Sequence, residues 1–439
     1  MKRMPQQQRP LRIRGLILSI FFPVLMVVIL SGNPKPITPT EVLSSIALVD
    51  SFRAIPSDNP FSETYEVWFR VPLDHTNPHS QYFPLRVYYS HNGFNKPMVV
   101  VIDGYTMYTS KANEITSIVD GNQITIEHRF FSQSRPLDSI PWSYLNIRQA
   151  AADAHLVISA FKPFYHGKWI STGISKSGQA TIFHRRFYPA DVNVSIPYVA
   201  PLNFSSEDER VYKFLDSVGT PECRKKIYDF QIQLFERKSE IMPLFKELSA
   251  SKGWKFTMGF EKAYDLSVLE YSFAFWQWGT PASHIPANSA TTEVLFKHLT
   301  EISGPDYFAT GQPTQAFFIQ AARELGYYGY DIEPFKDLLF IRTAKDYLQR
   351  IMLPEGITIQ FQPELYKKLT NFIETSDPRL IFVYGEYDPW TSVGITKLDG
   401  KKNMFVAIQP KGSHRARINT LPDSLRDKVI QTIKLWLEN

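Results

Sequence analysis

A short β-branched run, Ile170-Ser171-Thr172, leads into Gly173-Ile174-Ser175-Lys176-Ser177-Gly178, and residues 179–187 continue as a helix-compatible segment. The pattern is G-x-S-x-S-G at a strand-to-helix junction. Such a junction lifts a serine hydroxyl clear of a sheet on a sharp, strained turn. The small residues have a steric purpose there, because larger side chains flanking the turn would collide with the backbone. Ser177 stands where a glycine is usual, and the adjacent Gly178 is placed to relieve the crowding. The competing reading is an ordinary glycine-serine turn.

A nucleophilic serine needs a base to take its proton and a carboxylate to orient that base. In α/β-hydrolases the chain order is serine, acid, histidine. Downstream, Arg379-Leu380-Ile381-Phe382-Val383-Tyr384 reads as a buried strand that enters the turn Gly385-Glu386-Tyr387-Asp388-Pro389-Trp390. Met404-Phe405-Val406-Ala407-Ile408 reads as the next strand, followed by Pro410-Lys411-Gly412-Ser413-His414 and a helical pattern over 425–437. Of the ten histidines, His414 alone lies after Asp388. Taken singly, Asp388 could be an Asp-Pro turn starter and His414 a solvated loop residue. Asp399 competes as the acid, but Leu398-Asp399-Gly400 has the look of an exposed turn. The order and the strand-end placement together select Ser175, Asp388 and His414.

The apolar run Met98-Val99-Val100-Val101-Ile102 suits a parallel strand covered on both faces. It ends in Asp103-Gly104-Tyr105, where Gly104 or Tyr105 is expected to supply one backbone N–H of an oxyanion hole. Lys176, next to the nucleophile, is expected to supply the other. Gly104 could equally be a turn glycine.

With 439 residues and 44% apolar content, the chain can bury a large core in one big domain or two. Lys2, Arg3, Arg9, Arg12 and Arg14 precede an apolar run over 16–30, the form of a secretory leader. A membrane span usually needs about 20 apolar residues, so the anchor reading is the weaker one. Those five basic residues account for the net charge of +5, since residues 1–32 hold no acid. The mature chain is therefore near neutral, which argues against a nucleic-acid partner, and no stable membrane association is expected once the leader is removed. Cys223 is the sole cysteine and can form no intrachain disulfide. No zinc-ligand spacing, P-loop or dinucleotide fingerprint occurs, and the expected chemistry needs no cofactor and no metal.

More than two hundred residues separate Ser175 from Asp388. After a strand over 192–199, the pattern turns mostly helical, with amphipathic stretches over 227–235, 241–248 and 315–325. The expected organisation is a leader over 1–32 and an α/β-hydrolase core over 33–202 and 378–439, with a large helical cap inserted over 203–377. The aromatic residues Tyr271, Phe273, Phe275, Trp276 and Trp278 serve mainly as cap core, with one or two reaching the pocket.

Several segments carry a family resemblance that covers most of the mature chain. They are Glu127-His128-Arg129-Phe130-Phe131 with Ser134-Arg135-Pro136, Ile147-Arg148-Gln149-Ala150-Ala151-Ala152-Asp153, and Thr172 through Gly178. Arg185-Arg186-Phe187-Tyr188-Pro189, Glu270-Tyr271-Ser272-Phe273-Ala274-Phe275-Trp276-Gln277 and Glu324-Leu325-Gly326-Tyr327 complete the set. The chain resembles the secreted bacterial tripeptidyl aminopeptidases, serine peptidases of the α/β-hydrolase clan related to the Pro-Xaa carboxypeptidase and dipeptidyl peptidase II group. Members usually carry glycine at the position of Ser177. The resemblance implies a peptide substrate and release of short peptides, typically tripeptides, from a free N-terminus. An acid to hold the substrate ammonium is then required, and Glu127 and Glu324 are the candidates within matching segments. Their alternative roles are ion pairs, to Arg129, Arg135 or Arg148 for Glu127 and to Arg323 or Lys336 for Glu324. The competing functions are a secreted carboxylesterase or lipase, a Pro-Xaa carboxypeptidase, and a non-enzymatic binding module.

Overall fold

The apolar and β-branched runs of the chain assemble into one sheet of nine strands. A computed structural model describes residues 37–136, 140–311 and 314–438. The leader expected over 1–32 lies outside them, and no helix among the described residues is long and apolar enough to cross a membrane. The strands are β1 (Val49–Ile55), β2 (Glu63–Pro72), β3 (Tyr82–His91), β4 (Met98–Ile102), β5 (Asn122–Ile126), β6 (Trp169–Ile174), β7 (Val194–Tyr198), β8 (Leu380–Gly385) and β9 (Met404–Gln409). Their spatial order is β1-β2-β3-β5-β4-β6-β7-β8-β9. The first three pair antiparallel, β3 meets β5 antiparallel, and every pairing from β5 to β9 is parallel.

The parallel half behaves as its sequence demands. Every residue of β5, β7 and β8 is buried, because helices cover both faces and leave no solvated side to alternate toward. Buried polar residues in β5 are satisfied locally: Gln123 Oε1 accepts from the Asn113 amide at 2.7 Å and from the Thr116 hydroxyl at 2.7 Å. Among the covering helices are α1 (Ile147–Phe161), whose N-cap Asn146 side chain accepts from the Gln149 amide, and α2 (Lys176–Phe187).

Between β7 and β8 the chain leaves the sheet and builds a helical layer with its own core. Its main helices are α3 (Pro221–Glu236), α4 (Lys238–Lys252), α5 (Phe260–Trp278) and α6 (Thr292–Ile302), while α7 (Glu364–Thr375), just before β8, buries Leu369 and Ile373 in the sheet-side cluster with Leu380 and Phe382. Phe230, Leu234, Tyr264, Tyr271, Leu295 and Leu299 are fully buried within it. Trp390 and Val393, which follow β8, belong to the same apolar cluster. The cap core therefore reaches the strand end that carries Asp388. A last helix, α8 (Asp423–Glu438), returns Val429 and Ile433 to the sheet.

Candidate active site

The site begins with a backbone constraint. Ser175 sits between β6 and α2 with φ 61° and ψ −123°, a region non-glycine residues rarely occupy. Neighbouring hydrogen bonds hold it there: its N–H donates to the Tyr198 carbonyl at 2.8 Å, and its carbonyl accepts from the Gln179 amide at 3.0 Å. A Cβ on Gly173 would collide with the Ser177 carbonyl, and one on Gly178 would lie 2.8 Å from the Ala200 methyl. Ser177 is accommodated because its hydroxyl is employed. It accepts from the Gly104 amide at 2.8 Å and donates to Asp103 Oδ1 at 3.0 Å, tying the β4 loop to the elbow.

Asp388 lies three residues past β8 and is fully buried. Its Oδ1 accepts from the Trp390 amide at 3.1 Å, and its Oδ2 pairs with His414 Nδ1 at 2.7 Å. The loops carrying acid and base are stitched to one another, with the Tyr387 amide donating to the Gly412 carbonyl at 2.7 Å. A Cβ on Gly385 would strike the carbonyls of Gly412 and Ser413. The cap contributes too. The His414 amide donates to the Gln277 carbonyl at 3.0 Å, and the Trp278 ring stands edge-on to the imidazole at 6.4 Å.

The Asp388 contact takes up Nδ1 of the imidazole. No hydrogen bond joins Ser175 to His414 among the described residues, and such contacts commonly tighten only around substrate. Ser175 and Tyr105 line the same cavity. A cavity of about 450 Å³ opens beside the serine, lined by Tyr105, Tyr108, Phe131, Ile174 and Asp103 among others. Burial pushes the Asp103 carboxyl up to about 6.

In the β4 loop the amides expected at the oxyanion hole donate to side chains. The Tyr105 amide donates to Asp103 Oδ1 at 3.1 Å, and the Gly104 amide is bound by Ser177. The first is held within the loop by Asp103, and the second by the elbow serine at 177. The Lys176 side chain is buried, donates to the Gly104 carbonyl and lies 4.4 Å from the Phe131 ring centroid.

The two acids expected to hold an ammonium are committed elsewhere. Glu127 Oε1 pairs with Arg86 and accepts from the Met107 amide at 3.0 Å, while Oε2 accepts from the Ser134 hydroxyl at 2.6 Å. Its cation is Arg86, and Arg129 is taken by Asp153 at 2.6 Å. Glu324 Oε1 accepts from the Ile147 amide at 2.6 Å and so caps the first turn of α1. Arg323 donates to the carbonyls of Trp142 and Leu145, and Lys336 pairs with Glu333. Burial pushes the Glu324 carboxyl up to about 7.

A third acid, absent from the sequence-based candidates, is held by hydroxyl groups alone. Glu270 on α5 is buried and accepts from the Tyr328 hydroxyl at 2.9 Å and the Tyr330 hydroxyl at 2.7 Å, with no salt bridge to a cation among the described residues. Burial raises it to about 7. Tyr328 packs against Trp390 with ring centroids 5.3 Å apart, which brings this acid's aromatic shell up to the Asp388 turn. Its signal lies in the segment Glu270 through Gln277, where a charged residue sits inside a run of aromatics.

The pattern of the PS-10 peptidase S37 family matches residues 51–437. The prolyl tri/tetrapeptidyl aminopeptidase of Streptomyces mobaraensis is 32% identical over 379 residues, covering 84% of this chain and 79% of that protein. A probable serine protease of Arabidopsis thaliana, EDA2, is 25% identical over 155 residues, covering 29% of this chain and 31% of its own. Among solved structures, a proline iminopeptidase-related protein of Thermus thermophilus aligns with a TM-score of 0.41 at 10% identity, covering 85% of this chain and 99% of that one.

Proposed function

The chain belongs to the PS-10 peptidase S37 family, and from that premise we propose that it releases short peptides, tripeptides foremost, from free N-termini by acyl-enzyme catalysis. It is a serine peptidase of the α/β-hydrolase fold, and the roles proposed for its residues follow from the site. Ser175 attacks the scissile carbonyl, His414 takes its proton and returns it to the leaving amine, and Asp388 holds the imidazole. The observation that carries this reading is the buried Asp388–His414 pair at 2.7 Å beside a serine held at φ 61°. The charged and apolar leader supports export to the periplasm or medium, with a mature chain starting near Asn33.

An enzyme that requires a free N-terminus must reward an ammonium group. Glu270 is the acid that best meets the need, being buried among tyrosine hydroxyls and in no salt bridge among the described residues. An acetylated substrate would leave that carboxylate without its partner, an arrangement that costs several kcal/mol. Three chromogenic substrates test the reading: a free tripeptide, its acetylated form and a short acyl ester. The free tripeptide should be favoured over the acetylated one by about a hundredfold. Glu270→Gln should shrink that ratio by weakening the free substrate, and Ser175→Ala should abolish turnover of all three. Equal cleavage of free and blocked tripeptides would exclude amine recognition and favour the esterase.

A further inference from the structure

Helix α5 ends on an aromatic side chain that the cap leaves uncovered. Along that helix Tyr271, Phe273, Phe275 and Trp276 are at most 5% exposed, whereas Trp278, its last residue, is 44% exposed. Leaving an indole in water forgoes a large burial gain, and tryptophan is enriched where proteins hold a partner. Trp278 lines a groove of about 470 Å³ together with Thr280, Pro281, His284, Glu301 and Arg415. That volume falls within the range of about 300–1,000 Å³ usual for ligand sites. The groove shares no lining residue with the cavity beside Ser175.

Consecutive residues fix this groove relative to the base. The Gln277 carbonyl accepts from the His414 amide at 3.0 Å, and the Trp278 ring centroid lies 6.4 Å from that of the imidazole. Gly279 approaches Ser413 so closely that a Cβ there would lie 2.9 Å from the serine side chain. Its φ of 70° is the left-handed turn that closes a helix. Arg415 follows His414 in the chain, is exposed, and sets its guanidinium 5.9 Å from the Trp278 ring centroid. The acid of the groove, Glu301, pairs with Lys297 at 3.8 Å.

The chemistry of the base determines what passes beside it. The histidine that takes the serine proton returns it to the leaving amine as the C–N bond breaks. That nitrogen must come within about 3 Å of the imidazole. The chain attached to it therefore begins beside His414. At about 3.3–3.6 Å per residue, roughly two residues span the 6.4 Å to Trp278. We propose that this groove is the subsite for the leaving chain, the polypeptide on the C-terminal side of the scissile bond. Trp278 packs on the first residues of that chain, and the Arg415 guanidinium donates to one of its backbone carbonyls. The inference deepens the serine-peptidase reading and rests on His414 being the base.

Two substrates sharing one tripeptide that the wild type releases provide the test. One is the tripeptide anilide, which carries no residue beyond the scissile bond. The other is the same tripeptide extended by several residues and closed by a C-terminal amide. The quantity read is the ratio of kcat/KM on the extended substrate to kcat/KM on the anilide. Any loss of rate through His414 falls on both substrates and cancels in that ratio. Trp278→Ala should lower the ratio about tenfold or more, and Arg415→Gln by about threefold. Both side chains are exposed, so the melting temperatures should stay near wild type. A ratio unaltered in both variants, with Ser175→Ala inactive on both substrates, would overturn the subsite alone. Anilide turnover retained by Ser175→Ala would overturn the catalytic reading and the subsite with it.

Discussion

Glu127→Gln separates a scaffold acid from a substrate acid, and its size can be worked from the contacts. The variant keeps the side chain's volume and one acceptor oxygen but removes the charge facing Arg86. That pair is enclosed, with side-chain exposures of 8% for Arg86 and 0% for Glu127. Breaking a buried pair from one side costs about 3–5 kcal/mol. The loss should sit at the lower end, because Glu66 Oε1 remains 3.7 Å from the guanidinium and the Met107 carbonyl still accepts from it. The Met107 amide and the Ser134 hydroxyl then compete for one oxygen, and an unpaired donor adds about 1–3 kcal/mol. About 4 kcal/mol is therefore expected. Unfolding entropy near 2.1 cal/mol/K per residue amounts to roughly 0.8 kcal/mol/K over about 400 residues, which turns that loss into a melting-point drop of about 5 °C. Calorimetry on wild type and variant measures it. The ratio of free to acetylated tripeptide turnover, taken on the same samples, should hold at the wild-type value, with at most a modest fall in rate as the Met107 loop loosens. An unchanged melting point together with a collapsed ratio would refute the reasoning and restore Glu127 as the substrate acid.

Two further outcomes are expected. Glu270 and Glu324 have carboxyls raised by burial from 4.5 to about 7. Their contribution is fully present below the unfolded value and is lost as pH rises through the folded one. Between about pH 4.5 and 7, stability should therefore fall with rising pH, each carboxyl adding up to about 1.4 kcal/mol per unit. Glu270→Gln should flatten that slope in urea titrations, and an unaltered slope would mean the carboxyl is ionised throughout. Edman sequencing of protein recovered from periplasm or medium should begin near Asn33, and Met1 retained in a membrane fraction would establish an anchor instead.

What could be read from the chain was what neighbouring residues decide. The elbow at 173–178, the strand before Asp388 and the loop before His414 each carry a local pattern, and chain order joined them. The helical stretches expected over 227–235, 241–248 and 315–325 fall within helices for the same reason. The antiparallel strands β1–β3 were not anticipated, since their burial comes from the sheet they border. The acids fared worst, because a carboxylate's role is set by its partner and the partners are distant. Arg86 lies 41 positions from Glu127, and Ile147 lies 177 from Glu324. The oxyanion loop turns on a finer scale: Asp103 accepts from the amide two residues on, a contact that spacing does not encode.

The carbonyl of Gln277, at the end of α5, carries the amide of His414. A helix of the roof thereby serves as part of the mounting for the base. Access and chemistry are consequently not separable modules in this chain. Trimming the insertion to admit bulkier substrates would also remove a support of the imidazole, so the product would be a slower enzyme as well as a less selective one. Grafting a foreign cap onto this sheet would succeed only if the incoming helix presented a carbonyl at the same place.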